Sequence, residues 1–122
     1  MVECCKCSNT ICCIGYDSNP CCRHHIGCDA ICIEYGRDKP TIYLVEVKKG
    51  KFKLDDAKES HRQLEYCMEH IEATKNYAIK LIVISNNYTH DAIRRLFKYG
   101  IMYMKFSDKN NQLPSIVNHI VV

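Results

Sequence analysis

The chain has no apolar run approaching the roughly 20 residues that cross a bilayer, so a membrane-spanning helix is not expected. Its opening, Met-Val-Glu-Cys-Cys-Lys-Cys, carries no apolar stretch of signal-peptide length, and the expectation is a soluble, intracellular, cytoplasmic protein. No internal repeat is found, and no low-complexity tract outside a cysteine-rich start, which removes repeat architectures. Excess charge is also scarce. A formal net of +3 is too small to establish a nucleic-acid partner by itself.

What is present fits one α/β domain over residues 1–122. The 122 residues match the usual domain size of about 100–150, and 47% hydrophobic with 25% charged residues is ordinary for a packed protein. The charge is uneven. Residues 1–40 hold four Lys and Arg against five Asp and Glu, whereas residues 41–122 hold thirteen against nine. Lys48, Lys49, Lys51 and Lys53 fall within six positions, a cluster suited to phosphates. For Lys51 and Lys53 a solvated strand end is the plainer alternative.

Of ten cysteines, eight precede residue 29. Two readings stand open for them. Cys4-x-x-Cys7 followed by Cys21-x-x-His24 has the close-pair spacing that brings four soft ligands to a structural Zn²⁺. Disulfides are the other, since hyperthermophile proteins keep them inside the cell; an iron–sulfur cluster comes third. Cys32 and Cys67 lie in apolar periodic segments and read as small buried hydrophobes. His24 and His25 fit zinc ligands or a phosphate contact near Asp29, while His61 fits a satisfied position at the core's edge.

The periodicity gives the element order. Residues 10–16 suggest a short strand, and 29–35 and 41–48 form a hairpin around the turn Gly36-Arg37-Asp38-Lys39-Pro40. From Leu54 the spacing of Ala57, His61, Leu64, Met68 and Ile71 predicts a helix. Residues 77–85 read as a strand buried on both faces. Thr89 caps a helix that stops at Gly100, and residues 101–106 form a last strand. The stretch after Pro114 fits a helix or a strand. Strands alternating with helices, plus a hairpin, predict a mixed sheet flanked by helices.

Glu46 and Lys48, two apart in a strand, project from one face beyond the apolar Ile42 and Leu44. The hairpin brings Asp29 to the same end. Pairing symmetrically about Asp38 would set residue 29 against residue 47 and turn Asp29 to the wrong face. Convergence therefore demands a bulge or a one-residue shift.

Asp29, seventeen residues, then Glu46-Val47-Lys48 resembles the Asp…Glu-x-Lys signature of the PD-(D/E)XK, or restriction-endonuclease-like, nuclease superfamily. The apolar residues around both parts are similar to the core of archaeal Holliday-junction resolvases. Gln63-Leu64-Glu65-Tyr66 resembles the glutamine-centred helix motif of RecB-type nucleases, although the tyrosine follows at three residues where that motif has four. The resemblance spans residues 28 to 106, leaving a cysteine-rich segment (1–28) before a core (29–106) and an extension (107–122). It implies a restriction-endonuclease-like fold and a Mg²⁺- or Mn²⁺-dependent deoxyribonuclease acting on branched, flap or end substrates. Asp29, Glu46 and the Val47 carbonyl would hold the cation, Lys48 would orient the attacking water or stabilise the transition state, Gln63 would brace that water or a neighbouring phosphate, and Lys49, Lys51 and Lys53 would meet nucleic acid. By analogy, paired cleavage of a duplex would need a homodimer. The rival reading is a non-catalytic binding module, stabilised by zinc or disulfides, for nucleic acid or protein. A thiol redox protein fits less well, because Cys4-x-x-Cys7 does not lie between a strand and a helix.

Overall fold

A computed structural model describes residues 5–15, 28–36, 38–70 and 77–120. Six strands form one sheet in sequence order: β1 (Cys5–Ser8), β2 (Ile11–Gly15), β3 (Ala30–Glu34), β4 (Thr41–Phe52), β5 (Ala78–Tyr88) and β6 (Met102–Lys105). The first four pair antiparallel, and β4, β5 and β6 pair parallel. Among the described residues three helices flank the sheet: α1 (Leu54–His70), α2 (His90–Tyr99) and α3 (Leu113–Ile120). The mixed, helix-flanked α/β sheet is therefore the one expected. No helix among the described residues is long and apolar enough to cross a membrane.

Period two in the strands divides the core in two. Ile42, Leu44 and Val83 face one way and pack with Ala57, Leu64 and Cys67 of α1 and Ala92 and Leu96 of α2. Val45, Ile82 and Ile84 face the other way and pack with Leu113, Ile116, Val117 and Ile120 of α3. Strands β4 and β5 are covered on both sides, which is why they read as nearly continuous apolar runs.

Local chemistry sets the helix limits. Thr89 is extended, and its Oγ1 accepts the Ala92 N–H at 3.2 Å. Gly100, at φ 72°, adopts the left-handed turn that ends α2, and its N–H and that of Ile101 satisfy the last carbonyls. In α3, Asn111 Oδ1 accepts the Leu113 N–H at 2.9 Å, and Pro114 sits in the first turn, where its missing N–H costs nothing. The segment after Pro114 is thus helical.

Three expectations change. Strand β1 was not foreseen, because its lysine and cysteines show no apolar alternation and it lies on the sheet's edge. Strand β4 runs on to Phe52, four residues past Lys48. In α1 the buried stripe is Ala57, Ser60, Leu64 and Cys67, while Met68 is exposed and His61 half-buried. Ile71 lies outside the described residues.

Among the described residues, six cysteines form disulfides. Cys7 pairs with Cys12, Cys13 with Cys32, and Cys28 with Cys67. Cys32 and Cys67 are fully buried as expected, but they are bonded rather than free apolar residues. Cys5 is a free, exposed thiol.

Candidate active site

The site lies where β3 begins and β4 runs out over α1. In the ladder Ala30 faces Val45, whereas symmetric pairing about Asp38 would set it against Glu46. The register is displaced by one residue. In addition the Asp29 N–H donates to Val45 O at 2.9 Å, although Val45 is already the partner of Ala30. Two successive residues opposite one is the arrangement of a β-bulge. The one-residue shift is one of the two arrangements that convergence required.

The consequence is local and specific. Asp29 Oδ2 accepts the Val47 N–H at 2.7 Å, so the half-buried carboxylate rests on the Glu46–Val47 peptide. The adjacent Cys28 is fully buried and bonded to Cys67, which ties the approach to Asp29 onto α1.

Glu46 and Lys48 continue the α1-facing row of Ile42 and Leu44. Glu46 is half-buried. Lys48 is more open, and its Nζ lies 2.6 Å from Asp56 Oδ1. Asp56, on the first turn of α1, was missed by the sequence reading. Its other oxygen accepts the Lys53 N–H at 2.8 Å, which satisfies a donor at the helix start in the manner of a capping box. Burial pushes the Asp56 carboxyl up, but the hydrogen bonds from Lys48 and Lys53 and their charges outweigh it and hold its pKa below the ordinary value. The signal available was an acid three residues into a helix that directly follows the Glu-x-Lys strand.

The end of β4 is shaped by a second irregularity. Its pairing with β5 shifts between Lys48 and Lys51, and Gly50 there has φ 95°, a conformation that favours glycine. Asn86 Oδ1 accepts the Gly50 N–H at 2.6 Å, and the fully buried Ser85 hydroxyl donates to Gly50 O at 3.1 Å. These bonds brace the strand just beyond Lys48.

The remaining predicted residues scatter. Lys49 Nζ lies 5.7 Å from the Phe106 ring centroid, on the face that carries α3, opposite to Lys48. Lys48 and Lys49 therefore lie on opposite faces of the sheet. Lys51 and Lys53 are exposed. Gln63 lies seven residues along α1 from Asp56, on the same stripe but about 10 Å up the axis, and its amide donates to Glu59 Oε1 at 3.1 Å. His61 stacks on Tyr99 at 3.8 Å between centroids and contacts Glu65 at 2.5 Å, so it is satisfied at the core's edge. Of the suggested zinc set, Cys7 is engaged with Cys12, and a disulfide sulfur is not the thiolate that zinc takes. Cys4, Cys21 and His24, together with His25, lie outside the described residues.

Among the described residues no group of three or more His, Cys, Asp or Glu side chains gathers as a metal set. Carboxylate and carbonyl oxygens such as those of Asp29, Glu46 and Val47 are donors that suit a hard cation rather than zinc.

No family model matches the chain, and no curated protein matches it. Among solved structures it is similar to the crystal structure of a repair endonuclease from Pyrococcus abyssi, at 22% sequence identity and a TM-score of 0.49. That similarity covers 64% of this chain and 31% of the other, so this chain spans less than a third of that protein's length.

Proposed function

We propose that this chain is a metal-dependent nuclease of the PD-(D/E)XK type that hydrolyses phosphodiester bonds in DNA. The observation that carries the reading is the 2.7 Å hydrogen bond from the Val47 N–H to Asp29 Oδ2. It sets one carboxylate on the peptide that follows Glu46, the second carboxylate, one residue before Lys48. The bond orients the Asp29 carboxylate against the strand that carries Glu46 and Lys48.

Asp29, Glu46 and the Val47 carbonyl would hold Mg²⁺ or Mn²⁺, which supplies Lewis acidity toward a phosphate oxygen and acidifies a bound water. The chain's own residues do the rest. Asp56 holds Lys48 at 2.6 Å and limits its reach to the region between β4 and α1. An ammonium carries three donors, so Lys48 keeps two for the scissile phosphate or the attacking water. Its positive charge then stabilises the charge that builds on phosphorus-bound oxygens in the transition state. Gln63, farther along the same stripe of α1, would meet the neighbouring phosphate.

The test is cleavage of duplex, single-stranded and branched DNA with and without Mg²⁺. Asp29→Asn and Lys48→Ala should each lower the rate at least about 100-fold, the size of effect typical of a lost transition-state donor, while thermal unfolding stays cooperative. A folded, metal-loaded protein that cuts none of these substrates sinks the proposal. Salt-sensitive binding without cleavage would make the chain a disulfide-stabilised binding module instead.

A further inference from the structure

On the face opposite Lys48 and Asp56, a cavity of about 480 Å³ lies between β1, the connection after β6, and α3. That volume falls within the roughly 300–1,000 Å³ usual for small-molecule sites. Lys6 and Ser8 of β1, Phe106 and Lys109 of the connection, and Ser115 and His119 of α3 line it. Two lysines, a histidine, two serines and the amides of Asn111 and Gln112 surround one aromatic wall. The lining also holds one carboxylate, Asp108, whose Oδ2 accepts the Lys105 N–H at 2.9 Å and so closes the local turn. Among the described residues neither Lys109 nor His119 has an ion-pair partner.

A free phosphate would need the cations but not the aromatic wall. Cations beside an aromatic ring are what single-stranded nucleic acid uses, its phosphates on the positive groups and a base on the ring. Lys49 adds continuity. It follows Lys48 in β4, projects to the opposite face, and reaches Phe106 with 5.7 Å between Nζ and ring centroid. A strand leaving the end of β4 would meet Lys49, then Phe106, then the cavity.

We propose that this cavity binds one unstacked nucleotide of a single-stranded DNA segment, the base against Phe106 and the phosphate between Lys109 and His119. The inference rests on the nuclease reading for the route of the strand, and it narrows the substrate to DNA with a single-stranded arm.

The experiment is equilibrium binding of a fluorescent ten-nucleotide oligothymidylate, without divalent cation, over a series of salt concentrations. The full chain is used throughout. Lys109→Glu should weaken binding about tenfold at low salt and flatten the salt dependence by about one phosphate contact. Phe106→Leu, which keeps an apolar side chain against the core, should weaken it about fivefold or more with the salt dependence unchanged. If both variants fold and bind as the parent does, the proposal is overturned. It is equally overturned if inorganic phosphate displaces the oligonucleotide as well as thymidine monophosphate does, which marks a phosphate site alone. Because nothing is cleaved in this assay, a protein that binds as expected but never cuts DNA refutes the nuclease reading and keeps this one.

Discussion

The decisive contacts are single side chains, and they differ in how openly the sequence displayed them. Glu46 and Lys48 were legible because a strand alternates and Ile42 and Leu44 already mark the row. Asp56 was not, because it reaches Lys48 across a strand-to-helix turn. Its charge has a measurable consequence. A carboxyl whose folded pKa is depressed stabilises the protein fully above its unfolded value of about 3.9, and that contribution fades as pH falls through the folded value. Urea unfolding from pH 6 down to pH 2 should therefore show a loss of stability below about pH 4 that Asp56→Asn lacks. Lys48 is nearly half exposed, so solvent screening keeps the effect under about 1 kcal/mol. Equal acid slopes for the two proteins would remove Asp56 from this role. The same variant frees Lys48 and should slow DNA cleavage about tenfold, a modest loss for a residue that positions another.

At the level of elements, the hairpin and both strand–helix crossovers could be read from period and punctuation, but registers could not. The turn Gly36–Pro40 permits more than one pairing, and only the match of Ala30 and Cys32 to Val45 and Tyr43 selects the observed one. The end of β4 was hidden for a different reason. Lys49-Gly50-Lys51 looks like a turn by composition, yet it is an irregular strand that continues to Phe52. Glycine is what allows it. At φ 95° a side chain strains the backbone, while a Cβ at Gly50 would have no atom within 4 Å, so the cost of substitution is conformational and not steric crowding. Gly50→Ala should lose about 1–2 kcal/mol in chemical denaturation. It should also impair cleavage, since the irregularity lies directly beyond Lys48. Parent-like stability would mean that the residue relaxes to negative φ and that the bulge is not built as described.

For the whole molecule, the cysteines were the part that composition could not resolve. Zinc and disulfides use the same spacings, and only the three-dimensional neighbourhood chooses between them. Two of the bridges join neighbouring strands, Cys7–Cys12 across β1 and β2 and Cys13–Cys32 across β2 and β3. Cys28–Cys67 instead fastens the start of β3 to α1 and closes the longest of the three loops, at a sequence separation of 39 against 5 for Cys7–Cys12. Loop-closure entropy then assigns the long bridge about 4 kcal/mol and the short one about 2 kcal/mol. Replacing Cys28 and Cys67 together by alanine, which leaves no hydroxyl in a buried apolar site, should lower the melting temperature by on the order of 10 °C. Replacing Cys7 and Cys12 together by serine should cost about half as much. Melting both double variants beside the parent, each with and without a dithiol reductant, separates the contributions. Reductant should bring the parent down by at least the larger shift. Equal shifts for the two variants would contradict the assigned pairing. Cleavage measured well below either transition adds a second reading, because Cys28 precedes Asp29. Only the Cys28/Cys67 variant should lose rate there, as its freed strand end no longer holds the carboxylate on Val47.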